Sequence, residues 1–313
     1  MNDQRTYWDE KIRNITRKTD TKFPQRMDYE TLKNRQSLTL TEKIYLSQQR
    51  IHEWYEAWDG NVSVSFSGGW DSTLLLHMVR DLYPDVPAVF INTGLEYPEI
   101  KEFVKTIDNV EWLRPKIPFH QIIEKYGYPV LSKENSQKIY DIRNTKSDKL
   151  LYKRLHGNGT KWKSGKLPDK WMFLIDAPFK ISEKCCYYLK KAPAKKIPNP
   201  FLGLMTCDSK LREQKYIRNG GCNSFEKNIQ SMPLAFWNRD DTVEYVKRHN
   251  ISYSKIYDMG YDHTGCMFCM FGVHLEKGLN RFQRMKKTHP KQWDYCINKL
   301  ECGKVLDYIG VEY

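Results

Sequence analysis

No stretch of this 313-residue sequence approaches the ~20 consecutive apolar residues that cross a bilayer, so no membrane-spanning helix is expected. The opening residues, MNDQRTYWDEKIRN, are too charged for a secretory signal, and a cytoplasmic location without membrane partners is the expectation. Disulfides are not expected there, because that compartment keeps thiols reduced; the eight cysteines need another explanation. Acidic residues are in short supply, 38 Asp and Glu against 51 Lys and Arg. The resulting formal charge of +13 suits a polyanion such as nucleic acid, and equally a phosphate-rich small substrate. The 40% hydrophobic content is enough for one sizeable core with a smaller appended lobe, and excludes a disordered chain.

The stretch 62–79, VSVSFSGGWDSTLLLHMV, organises the rest. Val62, Val64 and Phe66 alternate with serines as in a buried strand, Ser67, Gly68, Gly69, Trp70, Asp71 and Ser72 form a turn, and Thr73 onward is apolar at helical spacing. Adjacent glycines allow positive φ and bring bare N–H groups close to a ligand, while Asp71 and Ser72 fall at a helix start with unpaired donors. A strand, glycine loop and helix in this order make an anion cradle, although an ordinary strand-to-helix turn has the same outline. The loop lacks the GxxxxGK[ST] spacing of a Walker motif.

A second strand is predicted at 88–91, followed by Asn92, Thr93, Gly94, Leu95, Glu96, Tyr97, Pro98 and Glu99. Ligands of open α/β sheets bind beyond the carboxyl ends of the strands, so Thr93, Gly94 and Glu96 form a second wall of the same pocket. A third strand at 110–113 and a helix at 118–126 continue the alternation, which argues for a doubly wound, Rossmann-like parallel sheet. The first loop resembles the SGGxDS pyrophosphate loop of the adenine nucleotide alpha-hydrolase superfamily. The second is similar to the TGxxFPE element of the phosphoadenosine phosphosulfate (PAPS) reductase family within it, with Tyr97 where that family usually has Phe. The resemblance covers 61–273 and implies an adenine nucleotide held at Ser67, Gly68, Gly69, Asp71 and Ser72, with Thr93, Gly94 and Glu96 beside them.

Residues 1–60 read as a helical extension, with helices near 29–34 and 40–58; Ile44, Tyr45, Ile51, Trp54, Tyr55 and Trp58 are expected on the packed face of the second. The segment 131–170 carries eleven Lys and Arg against four acidic residues. It reads either as a solvated insertion or as a surface for a nucleic acid such as tRNA or DNA, with Tyr140, Tyr152 and Trp162 among the cations. Residues 232–250 suggest a short strand or turn and then a helix capped by Asn238 or Asp240, and 274–313 form a basic helical end.

Cys185 and Cys186 are adjacent, and Cys266 and Cys269 form a distant CxxC. Four thiolates gathered in a reducing compartment are stable around a metal, which offsets their mutual repulsion. Adjacent cysteines plus one CxxC fit a four-iron four-sulfur cluster better than the paired CxxC units of a zinc ribbon, leaving zinc as the alternative. Cys222 is a reserve ligand. The pattern resembles that of assimilatory adenosine phosphosulfate (APS) reductases, which implies a cysteine-rich iron–sulfur C-terminal part.

Two further segments resemble the family. Gly203 to Arg212 is similar to G-x-R-x-x-E-S-x-x-R, with Met205 for the first Arg and Asp208 for Glu, while Ser209 and Arg212 agree. Arg212 is expected to fork onto a phosphate or adenylate oxygen. Glu301, Cys302 and Gly303 resemble the ECG of a catalytic tail, which would make Cys302 a nucleophile; here Lys304 and Val305 follow instead of Leu-His, and a packing role is the other reading.

The leading functional expectation is ATP α–β cleavage with Mg2+ held through Asp71, coupled to iron–sulfur-dependent sulfur transfer from a sulfur donor. The alternatives are APS or PAPS reduction to sulfite with a thiol donor protein, and a non-catalytic nucleotide-binding protein stapled by structural zinc.

Overall fold

The computed structural model describes residues 27–159, 164–226 and 228–313. Their contacts divide the chain into two compact units, each assembled from separate stretches of sequence. Eight strands are present among the described residues: β1 Ser63–Phe66, β2 Ala88–Ile91, β3 Val110–Leu113, β4 Val130–Leu131, β5 Pro200–Leu202, β6 Asn223–Ser224, β7 Gln230–Ser231 and β8 Met270–Phe271.

The first unit contains the described residues up to Val89, then Asn109–Glu111 and Ile197–Tyr253. Its strands belong to a six-stranded sheet of order β3-β2-β1-β5-β7-β6, in which β1–β5 and β5–β7 are parallel and the edge pair β6–β7 is antiparallel. This is the expected α/β class with a mostly parallel sheet. Strand β1 is covered on both sides, as a central strand requires: Ser63, Val64 and Phe66 are buried and Ser65 is half-buried. The helix Trp70–Leu82 runs from the end of β1 and buries Leu74, Leu75, Leu76, Met78 and Val79. Strand order changes direction at β1, with β2 on one side and β5 on the other, so the loop after β1 opens at a topological switch point.

The helices Tyr29–Gln36 and Leu40–Ala57 form where the spacing predicts them, the second opened by a Thr39/Glu42 capping box. Its packed face differs from the expectation. Ile51 and Trp54 are buried, but Ile44, Tyr45, Tyr55 and Trp58 are only half-buried, and the face is completed by Lys43, Leu46 and Ser47. Polar residues occupy it because each has a partner: Lys43 Nζ lies 2.6 Å from Asp241, and Ser47 Oγ donates to the Pro233 carbonyl while accepting from Trp237 Nε1. Asp241 also accepts from the Asn238 N–H, in the capping box that starts the helix Arg239–Arg248.

The second unit contains Phe90–Asp108, Trp112–Lys196 and Ser254–Tyr313. Strands β4 and β8 pair in parallel through Val130–Met270 and Leu131–Phe271. The helix Phe119–Tyr126 ends at Gly127, whose φ is +109°; a Cβ there would lie 2.3 Å from the Lys180 carbonyl carbon, so glycine is required by both conformation and space. The basic segment folds into the helices Lys133–Asn144 and Asp148–His156. Several of its cations serve the fold. Arg143 donates to the carbonyls of Leu174, Ile175, Ala177 and Phe179, Arg154 pairs with Asp141, and buried Lys138 pairs with Glu134. Tyr152 is exposed and Tyr140 half-buried; Trp162 lies outside the described residues, as does the opening segment 1–26. The C-terminal part is helical over Arg281–Thr288, Pro290–Asp294 and Cys302–Tyr308. Among the described residues no helix is long and apolar enough to cross a membrane.

Candidate functional site

In the first unit, the loop after β1 turns through Gly68 at φ +72° and enters its helix with Gly69 as N-cap. Hydroxyls fasten it from within. The Ser67 N–H donates to Ser72 Oγ at 3.2 Å, the two serine oxygens are 3.0 Å apart, and Ser72 Oγ and Thr73 Oγ1 both donate to the Gly69 carbonyl. The loop is thereby shaped before any anion arrives, and the helix start offers main-chain donors to one. Strand β5 ends against it: a Cβ on Gly203 would lie 2.8 Å from the Asp71 carbonyl oxygen and 2.9 Å from the Ser72 nitrogen.

Asp71 faces a cluster of charge. Arg239 Nη1 donates to Asp71 Oδ1 at 2.7 Å, Arg239 Nη2 reaches Asp208 Oδ1 at 3.4 Å, and Arg212 pairs with the other oxygen of Asp208. Burial pushes the Asp71 carboxyl above its ordinary pKa; Arg239 opposes this and Asp208 reinforces it. Two carboxylates and two guanidinium groups thus stand at the loop, a set able to meet both the cation and the oxygens of a metal–phosphate complex. Arg212, expected on a phosphate or adenylate oxygen, pairs here with Asp208. Arg239 was not anticipated: only its neighbours Asn238 and Asp240 carry a local signal, as caps, and nothing in the spacing marks the arginine between them. Met205 is buried, its sulfur 3.5 Å from the Thr242 hydroxyl.

In the second unit, the loop after β2 is closed on itself. The Thr93 N–H and hydroxyl both donate to the Glu96 carboxylate, at 3.0 and 2.6 Å, and the Gly94 N–H donates to Asn92. Glu96 therefore shapes the turn, while Gly94 at φ +81° has open space around its Cα. The Met267 N–H donates to the Leu95 carbonyl at 2.8 Å, joining this loop to the CxxC segment.

Cys185, Cys186, Cys266 and Cys269 line one cavity of about 310 Å3 in this unit. Its wall also carries Lys133, Lys190, Lys191 and Arg281 between apolar side chains that include Phe119 and Phe268. The adjacent cysteines reach it from a short helical turn, Lys184–Cys186, that passes into a π-helical turn, Tyr187–Lys191. The Cys185 thiol hydrogen-bonds Cys186, and this bond with Lys133 and Lys190 brings Cys186 down to about 6 despite burial. The same bond pushes Cys185 up. Burial raises Cys266 to about 11 against the pull of Lys190, and raises Cys269 against Arg281. Among the described residues no group of three or more His, Cys, Asp or Glu is placed to ligate a metal ion. The four predicted thiols share a cavity; they do not converge on one ion-sized point.

The remaining cysteines lie elsewhere. Cys222 belongs to the first unit, buried with its sulfur 3.7 Å from Tyr216 Oη, and does not line the cavity. Cys302 is fully buried at the start of its helix and hydrogen-bonds Cys296, whose thiol is pushed up first by burial and then by that bond. It has the surroundings of a packed residue. All eight cysteines are free thiols.

A family model described as "Phosphoadenosine phosphosulfate reductase domain" matches residues 61–271. An uncharacterized protein of Methanocaldococcus jannaschii is 24% identical over 300 residues, 93% of this chain; the chain spans 60% of that relative's length. An adenosine 5'-phosphosulfate reductase of Staphylococcus haemolyticus is 22% identical over 226 residues, covering 70% of this chain and 74% of its own. Among solved structures, the phosphoadenylyl-sulfate reductase of Candida auris, in a phosphate complex, aligns over 77% of this chain and 96% of its own, at 16% identity and a TM-score of 0.41.

Proposed function

Because the chain belongs to the phosphoadenosine phosphosulfate reductase domain family, we propose that it is a nucleotide-dependent enzyme of sulfur chemistry that holds adenine-nucleotide phosphates at Ser67, Gly68, Gly69, Asp71 and Ser72. The sulfur step is assigned to Cys185, Cys186, Cys266 and Cys269. The observation that carries this reading is the shared cavity: four thiols from stretches some eighty residues apart line it, with cations in its wall.

The donor set fits an iron–sulfur cluster. Four cysteines lining one cavity can give one thiolate to each iron of a polynuclear cluster, and the lysines and Arg281 offset thiolate charge. When bound, such a cluster supplies electron transfer or a site for sulfur. The protein's own groups do the rest: Lys133 and Lys190 favour the Cys186 thiolate, and the apolar wall limits water.

The nucleotide reaction is assigned to Mg–ATP as substrate. Asp71 supplies a hard oxygen ligand for the cation, and loop N–H groups with Arg212, which Asp208 holds at the loop, neutralise phosphate charge. An acceptor oxygen attacks the α phosphorus, forming a P–O bond while the bond to the bridging oxygen breaks and pyrophosphate leaves. A sulfur nucleophile from a donor protein then displaces AMP from the activated acceptor. A nucleic acid such as tRNA or DNA is the proposed acceptor class, one that the +13 charge suits.

A second reading is favoured by the names of the relatives: attack of a thiolate on the sulfur of APS or PAPS releases the nucleotide and leaves an enzyme thiosulfonate, from which a second thiol releases sulfite by forming a disulfide. The burial of Cys302 opposes its service as that thiolate. Anaerobic incubation with Mg–ATP and candidate acceptors, assayed for AMP and pyrophosphate, separates the readings. Acceptor-dependent release of both supports the first; sulfite from APS or PAPS, abolished by Cys302→Ser, replaces it with the second.

A further inference from the structure

The charge cluster at the loop contains a conflict. Asp71, assigned above to the cation of Mg–ATP, accepts through Oδ1 from Arg239 Nη1 at 2.7 Å. A carboxylate oxygen engaged by a guanidinium is a poor cation ligand, because the arginine both occupies its lone pair and repels the incoming charge. Arg239 has room to change partners: its side chain is 42% exposed, against 21% for Asp71, and its second nitrogen reaches Asp208 only at 3.4 Å. Its backbone is fixed meanwhile by the Asn238/Asp241 capping box, and Asp241 is held in turn by buried Lys43. A partly exposed cation on an anchored helix start therefore stands at the loop.

We propose that Arg239 exchanges partners during nucleotide binding: its guanidinium competes with the cation of a metal–nucleotide for the Asp71 carboxylate, and once displaced it pairs with the nucleotide's phosphate oxygens. The inference rests on the assignment of loop 67–72 to nucleotide phosphates. Arg239 is thus a positioning residue that couples metal binding to phosphate binding. A bare divalent cation must pay for the lost ion pair with no compensation, whereas the cation of a metal–nucleotide brings the phosphate that receives the guanidinium. The exchange disfavours metal without nucleotide, and it selects ligands that present an anion beside the cation.

The test uses the full chain with Mn2+ as a spectroscopic stand-in for Mg2+, comparing wild type with Arg239→Ala, Arg239→Lys and the control Arg248→Ala, which removes an exposed cation from the same helix. Bound Mn2+ is read by loss of the free-ion magnetic resonance signal, and ATP affinity is measured by calorimetry with and without a chelator. Arg239→Ala is expected to raise nucleotide-free Mn2+ affinity about tenfold and to lower chelator-treated ATP affinity about tenfold, each the equivalent of one charge-assisted bond. Arg239→Lys should retain most of both wild-type values, and Arg248→Ala all of them. A purely structural role for Arg239 would not move the two affinities in opposite directions. Unchanged Mn2+ affinity, or unchanged metal-free ATP affinity, in a folded Arg239→Ala protein overturns the exchange. Absence of ATP binding by wild type under every condition overturns the loop assignment itself, and the exchange with it.

Discussion

The Met267 N–H donates to the Leu95 carbonyl at 2.8 Å, tying the loop after β2 to the segment between Cys266 and Cys269. Both residues are buried. The second sequence motif thereby holds one side of the cysteine cavity, which Leu95 also lines. Met267→Pro, which removes the donor, is expected to cost about 1–3 kcal/mol by leaving a buried carbonyl unpaired. It should also reduce bound iron per chain after anaerobic purification. Met267→Leu, which keeps the donor and the volume, should leave both near wild type, as urea unfolding and metal analysis would show.

Gly203 packs directly against the loop after β1. Its neighbours at 2.8–2.9 Å are backbone atoms of Asp71 and Ser72, which cannot rotate away as a side chain would. Gly203→Ala is expected to destabilise the fold by about 1–3 kcal/mol through overpacking. It should also weaken ATP binding by shifting the loop, and calorimetry on the folded variant checks the second effect separately from the first.

His77 lies on the helix that leaves this loop, with Tyr245 Oη 3.1 Å from its Nδ1 and the His249 ring beside it. Burial, reinforced by His249, holds its pKa below the ordinary 6.5. The folded protein then takes up this proton less readily than the unfolded chain. The stabilising contribution is full above the unfolded value and is lost as pH falls through the lowered folded value. Urea midpoints measured from about pH 8 to about pH 5 should fall with acidification, and less steeply in His77→Gln.

Cys302 is fully buried against Cys296. Cys302→Ala is expected to cost about 1 kcal/mol of stability, with no loss of AMP and pyrophosphate formation. In the native wild-type protein the thiol should resist alkylation that proceeds readily after unfolding, and mass spectrometry of the labelled peptide would read this.

Local pattern carried β1, β2 and β3, the glycine loop, the two N-terminal helices and the helix capped by Asn238, because each depends on spacing within a few residues, whereas the shorter strands β4 to β8 left no such pattern. Val64 and Phe66 announce a buried strand, and Gly68 with Gly69 announce a turn that a side chain would obstruct. Partner choice across the chain left no such trace. Lys43 reads as a surface residue until Asp241 is placed 2.6 Å from it, and Arg143 reads as part of a basic patch until four carbonyls converge on it. Arg239 belongs to the same class: its role at Asp71 comes from a contact 168 positions away in sequence. The four cysteines of the cavity stood out as an adjacent pair and a CxxC, and packing was one of the two readings of Cys302, while the burial of Cys222 away from them depends on tertiary packing.

The central claim is that loop 67–72 takes the phosphates of ATP, and the most direct measurement is which adenine nucleotide raises the unfolding temperature of the anaerobically purified protein. A ligand that binds only the folded state stabilises it by mass action, about 2.7 kcal/mol at a hundredfold excess over its dissociation constant. Mg–ATP is expected to raise the transition in wild type and to lose most of this effect in Asp71→Asn. Stabilisation by APS or PAPS, with none from Mg–ATP, would contradict the central claim.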